Sequence, residues 1–121
     1  MEDRFLFRAW LPELKKMVYP KAIHYVEKGI AIEYDDDVAS PGWFELMQCT
    51  GLKDKDGRLI FEGDIVRGQN RYEISEIVLR DGVWMMKMFL GHRPALWEID
   101  PIEVIGNRWE NPELLKKGVK K

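Results

Sequence analysis

The 121-residue chain is 45% hydrophobic and 33% charged. That balance suits one folded domain, or two small lobes sharing a core, and excludes disordered, collagen-like and coiled-coil classes. Lys and Arg number 19 against 21 Asp and Glu, a net of −2, and the last 11 residues hold 4 basic and 1 acidic residue, so backbone-driven nucleic-acid binding is disfavoured.

A lone cysteine, Cys49, excludes an intrachain disulfide and an all-cysteine zinc site. The longest apolar run, Val83-Trp84-Met85-Met86, is far below the roughly 20 residues of a membrane-spanning helix. The acidic opening Met1-Glu2-Asp3-Arg4 carries no secretory pattern, so a cytoplasmic protein is expected.

Strand signals dominate from the start. Arg4 to Trp10 alternates, with Phe5, Phe7 and Ala9 on one face and Leu6 and Trp10 on the other, which predicts a strand covered on both sides. Leu11 to Lys16 reads as a turn or one helical turn, and Met17 to Tyr19 resumes the extended pattern. Ile23 to Val26 and Ile30 to Tyr34 flank Glu27-Lys28-Gly29, a predicted hairpin. Asp35 to Asp37 and Ser40-Pro41-Gly42 bound a polar loop before the apolar stretch Trp43 to Gln48.

The strongest turn signal is Gly51-Leu-Lys-Asp54-Lys-Asp56-Gly57. Asp side chains bond their own backbone there, and glycine takes the positive φ that closes such loops. Leu59 to Phe61, Ile65-Val66, Tyr72 to Ile74 and Ile77 to Leu79 follow as strands. Asp81-Gly82 marks a second hairpin into Val83 to Leu90, and Leu96 to Ile99 and Val104-Ile105 close the β pattern. Asn111 as cap, Pro112 at the first helical position and Gly118 as stop predict one short helix. The fold class is mainly β. A boundary near residues 50–58 divides an N-terminal β lobe (1–50) from a barrel (51–121).

Several stretches resemble the YopX family of phage and prophage proteins. Phe7-Arg8-Ala9-Trp10 with Lys15-Lys16-Met17 is similar to its opening. Leu46 to Gly57 and Ile60-Phe61-Glu62-Gly63-Asp64-Ile65-Val66 resemble its central signature, and Glu103 to Leu115 its close. Cys49 and Phe61 stand where the family usually has tyrosine. The resemblance implies a mostly β fold with an SH3-like C-terminal barrel and a bacterial, phage-associated setting. It carries over no catalytic residues.

The chemistry-bearing residues read mainly as structure. With Asp54 as the first position of a calcium loop, Ile65 occupies the twelfth, where a bidentate Glu is required, so Asp54, Asp56 and Gly57 form a turn instead. Gly63 allows a backbone bend into a barrel strand, and Asp64 accepts backbone N–H groups there. A catalytic carboxylate pair of Glu62 and Asp64 has neither nucleophile nor partner acid in sight. Cys49, His24 and His92 lack zinc-ligand spacing. No cofactor or metal is expected.

Trp84, Met86, Met88 and Leu90 share one face of a strand whose other face, Val83, Met85 and Phe89, is also apolar. Met86 and Met88 fit a core or an interface equally, which raises the expectation of a homo-oligomer. The leading functional expectation is a non-enzymatic phage accessory protein acting as a β-rich interaction module on a phage or host protein. The alternative is a nucleic-acid-binding factor using Arg67, Arg71, Arg93 and the Lys116, Lys117, Lys120 and Lys121 tail. An enzyme is the weakest reading.

Overall fold

In the computed structural model, residues 6–68, 74–88, 91–94 and 101–116 are described. The chain is mainly β, as its alternation predicts. Strand β1 (Phe7–Leu11) is buried along almost its whole length, so it is covered on both faces. Pro12 to Lys15 form a turn without helix, because Lys15 takes a φ of 51° and redirects the chain into β2 (Lys16–Val18). Next come β3 (Ala22–Val26), β4 (Gly29–Tyr34) and β5 (Asp37–Ala39). Val26 pairs with Gly29, which leaves Glu27 and Lys28 as a two-residue hairpin loop.

Strand β6 (Glu45–Lys53) runs further than its apolar stretch suggests, through Gly51 into the start of the predicted turn. It can do so because the ladder slips between Cys49 and Lys53, where Leu52 N–H turns to the Thr50 hydroxyl at 3.1 Å. Strands β7 (Leu59–Phe61) and β8 (Asp64–Gly68) follow, then β9 (Ile74–Arg80), β10 (Val83–Met88) and β11 (Gly91–Pro94). Asp81 and Gly82, with φ of 53° and 80°, make the tight turn between β9 and β10. Strand β12 (Ile102–Asn107) and the four-residue helix α1 (Glu113–Lys116) end the described chain. The expected strand at Leu96 to Ile99, Tyr72, and the expected helix stop at Gly118 lie outside the described residues.

These strands form three antiparallel sheets. The first has the order β2-β1-β6-β7, the second β3-β4-β5 and the third β11-β10-β9-β8-β12. The third sheet, a meander whose last strand returns beside its first, is compatible with an SH3-like barrel. One core packs Ala9, Leu11 and Val18 of the first sheet against Ile32, Tyr34 and Ala39 of the second. The other packs Ile60 of β7 against Val66, Ile77, Met86 and Ile102 of the third. Strand β7 therefore belongs to the first sheet by hydrogen bonding and to the third by packing.

Gly57 and Gly63 both sit at φ 87°, where a β-branched side chain is strained. A Cβ on Gly57 would meet nothing within 4 Å, whereas one on Gly63 would lie 3.2 Å from Met47 Sδ and 3.4 Å from Arg108 Cδ. Gly57→Val is expected to destabilise by about 2 kcal/mol from backbone strain alone. Gly63→Val should lower the melting temperature further, because the bend is also packed shut. Thermal melts of the two variants check the order.

Candidate functional site

The turn after β6 is built on one carboxylate. Asp54 Oδ1 accepts the N–H groups of Asp56 at 2.9 Å and Arg58 at 2.8 Å, and Oδ2 accepts that of Val104 in β12 at 3.0 Å. One side chain thus closes the turn and ties it to the third sheet. Burial alone would push the Asp54 carboxyl up, but the three backbone donors and the Arg58 charge together hold it below its ordinary value. A depressed carboxyl stabilises the fold above its unfolded pKa and loses that contribution as pH falls through the folded one. Asp54→Asn is therefore expected to be less stable at pH 7 and to lose less stability than the parent below about pH 4. Urea melts across a pH series test this. Asp56, by contrast, is exposed and pairs with Lys55 at 3.3 Å.

Asp64 is almost fully buried at the start of β8, 2.8 Å from Arg8 Nη2 of β1. The same Nη2 donates to the Glu62 carbonyl at 3.1 Å, and Phe61 N–H donates to Asp64 Oδ2 at 2.8 Å. The guanidinium carbon lies 4.8 Å over the Phe61 ring. Burial raises the Asp64 carboxyl, and the attraction of Arg8 and the Phe61 N–H offset this only in part. The Asp54 and Asp64 carboxyls are therefore shifted in opposite directions from their ordinary value, although they stand on neighbouring turns.

The closing segment clamps the sheets together. Asn107 Oδ1 accepts the N–H groups of Trp109 and Glu110, and its Nδ2 donates to Glu110 Oε1 at 2.8 Å. Asn111, expected as a helix cap, instead turns its side-chain oxygen back to Asn107 N–H at 3.1 Å, over Gly106 where a Cβ would collide with it. Arg108 N–H bonds the Gly63 carbonyl, and Arg108 Nη1 meets Glu76 of β9 at 3.2 Å. Trp109 stacks on Trp10 with centroids 6.3 Å apart, and its indole N–H reaches Met47 Sδ at 3.2 Å.

Beside these contacts an open cleft of about 670 Å³ lies where the first and third sheets meet. Leu6, Leu59 and Val104 form apolar walls, Phe61 and Tyr19 meet edge to face at 5.9 Å, and Lys53, Arg58 and the Arg8–Asp64 pair supply charge. A smaller hollow of about 270 Å³ opens between Leu14, Tyr34, Val38 and Trp43.

Of the four residues expected on one face of this strand, Met86 is 3% exposed in the second core and Trp84 packs against that core half-buried. Met86 is thus core in this chain, because Ile77 and Ile60 close over it. The face of β10 bearing Val83, half exposed, is the one turned outward. Met88 ends β10, and Leu90 lies outside the described residues. Arg67 pairs with Glu103 at 3.2 Å, while Arg71, Lys117, Lys120 and Lys121 lie outside the described residues. Cys49 is fully buried in β6, and His24 pairs with Glu33 across an exposed hairpin. Among the described residues, no group of three or more His, Cys, Asp and Glu is placed to hold a metal, and no helix is long and apolar enough to cross a membrane. Arg8 was legible only as a single charge in an apolar string, and Arg108 only as one charge in the polar run Asn107 to Asn111. Trp10, Met47 and Trp109 carried no sign that they would meet.

The architecture defines a small all-β protein in which a buried ion pair, an Asx-type turn and a tryptophan stack join the sheets. The chain belongs to the YopX family: the family described as YopX protein matches residues 6–116. It is similar to protein EF1440 from Enterococcus faecalis, at 31% identity over 91% of this chain and 96% of that one, with a TM-score of 0.65. It also shares its fold with protein yopX from Bacillus subtilis, at 24% identity over 93% of this chain and 98% of that one, with a TM-score of 0.63. A comparison with curated proteins found no match.

Proposed function

We propose that this YopX-family chain is a non-enzymatic phage or prophage accessory protein, a β-rich interaction module of the bacterial cytoplasm that meets its partner at the cleft between the first and third sheets. One observation carries the reading. The buried polar side chains of the family-like segments are spent on the fold: Arg8 pairs with Asp64, Asp54 holds three backbone donors and Asn107 holds Glu110, while Arg108 beside them pairs with Glu76. A general acid or base must keep an atom within reach of substrate, whereas these groups hold backbone and sheet. The cleft keeps exposed cations beside apolar walls, the mixture that suits recognition.

A second copy of the chain is one candidate partner, and the outward Val83 face of β10 is a second contact surface for it. Nucleic acid is the alternative partner, favoured by the same exposed Lys53 and Arg58. The test places a photoreactive amino acid at Tyr19, which is 62% exposed at the cleft edge, in cells carrying the phage. A discrete protein adduct, with a second copy or another chain, supports the proposal. A nuclease-sensitive adduct supports the alternative. Turnover of a small molecule by the purified chain, abolished by Asp64→Asn in a variant that still folds, overturns both.

A further inference from the structure

We propose that the cleft binds an acidic peptide, seating an apolar side chain on its floor and carboxylates on Lys53 and Arg58. This rests on the interaction role above and names the chemistry of its partner. The charge of the cleft departs from that of the chain. The protein carries a net of −2, yet the Asp64 carboxylate that lines this opening is already engaged, as are three carboxylates near it. Asp64 is paired with Arg8, Asp54 with backbone donors, Asp56 with Lys55 and Glu103 with Arg67.

The cations are not matched in the same way. Lys53 is exposed and makes no ion pair among the described residues, and exposed Arg58 feels the Asp54 charge without a direct ion pair and donates one long bond, 3.5 Å, to the Val104 carbonyl. Behind them, Arg8 Nε is buried with no hydrogen-bond partner among the described residues. Such a surplus of donors and positive charge over an apolar floor is complementary to a carboxylate next to an aliphatic or aromatic group.

A polynucleotide fits less well. Phe61 is 5% exposed and offers no open ring face, so of the two aromatic rings lining the cleft Tyr19 alone could stack on a base, short of the successive platforms a strand uses. Two exposed cations, one of them already facing Asp54, are also few for a phosphate backbone. An inorganic anion alone would leave the Leu6, Leu59 and Val104 walls wet.

The experiment uses a fluorescein-labelled peptide, Glu-Phe-Glu-Leu-Glu, and the full chain, read by fluorescence anisotropy. Saturable binding is expected, weakened at least tenfold by K53E or R58E and absent for the Lys-Phe-Lys-Leu-Lys peptide. Dichroism melts confirm that the variants fold. If R58E unfolds through loss of its Val104 contact, K53E alone decides. No saturation up to millimolar protein overturns the proposal, as does binding unchanged by K53E. Tighter binding of a ten-nucleotide oligothymidylate that K53E abolishes also overturns it, by assigning the cleft to nucleic acid. Failure here while the Tyr19 cross-link still traps a protein leaves the interaction role standing and removes only the acidic ligand.

Discussion

Replacing Arg8 by methionine is expected to destabilise the fold by roughly 3–5 kcal/mol at neutral pH. Methionine keeps much of the volume but removes the cation paired with buried Asp64, 2.8 Å away. It also removes the donor to the Glu62 carbonyl and the charge over Phe61. An unpaired buried carboxylate escapes by taking a proton. The Asp64 carboxyl is already raised by burial, and losing Arg8 raises it further. A raised carboxyl contributes stability that is fully present below its unfolded pKa and is lost as pH rises through the folded one. The deficit of Arg8→Met should therefore be smallest near pH 4 and grow toward neutrality. Replacing both partners, Arg8→Met with Asp64→Leu, should cost less than the sum of the single changes, because no charge is then stranded. Urea denaturation of the three variants at two pH values measures both effects. A deficit independent of pH would show that Arg8 acts through packing alone.

Replacing Trp109 by alanine is expected to cost about 3 kcal/mol, which for a chain of this size lowers the melting temperature by roughly 10 °C. The ring is half-buried, which moderates the loss. It nonetheless supplies the stack on Trp10, the indole contact with Met47 Sδ and the surface under Arg108, whose guanidinium carbon lies 4.6 Å from the ring centroid. These contacts join β1 and β6 of the first sheet to the segment after β12 of the third, so their loss loosens the joint between sheets rather than one sheet's interior. Trp109→Phe keeps a ring for the stack and removes the indole donor together with part of the ring surface. It should recover more than half of the lost stability. Thermal melts followed by dichroism distinguish the two, and equal losses would show that the Met47 contact outweighs the stack.

The sequence by itself determined the local conformations. Period-two alternation marked the strands, Asp81-Gly82 and Gly51 to Gly57 marked turns, and the motif residues 7–115 marked the family. These signals are local, because pleat, φ preference and Asx hydrogen bonds act over a few residues. Three further matters were decided only in the tertiary structure. Met86 became core because Ile77 and Ile60 close over it, a choice that two apolar faces of one strand leave open. Asn111 became a backbone anchor because Asn107, four residues earlier, presents its N–H to it. The Arg8–Asp64 pair spans 56 positions, and nothing near either residue names the other. A lone charge inside a strand covered on both faces demands a partner, but only the meeting of β1 with the turn before β8 supplies it, since burial penalises every arrangement that leaves either charge alone.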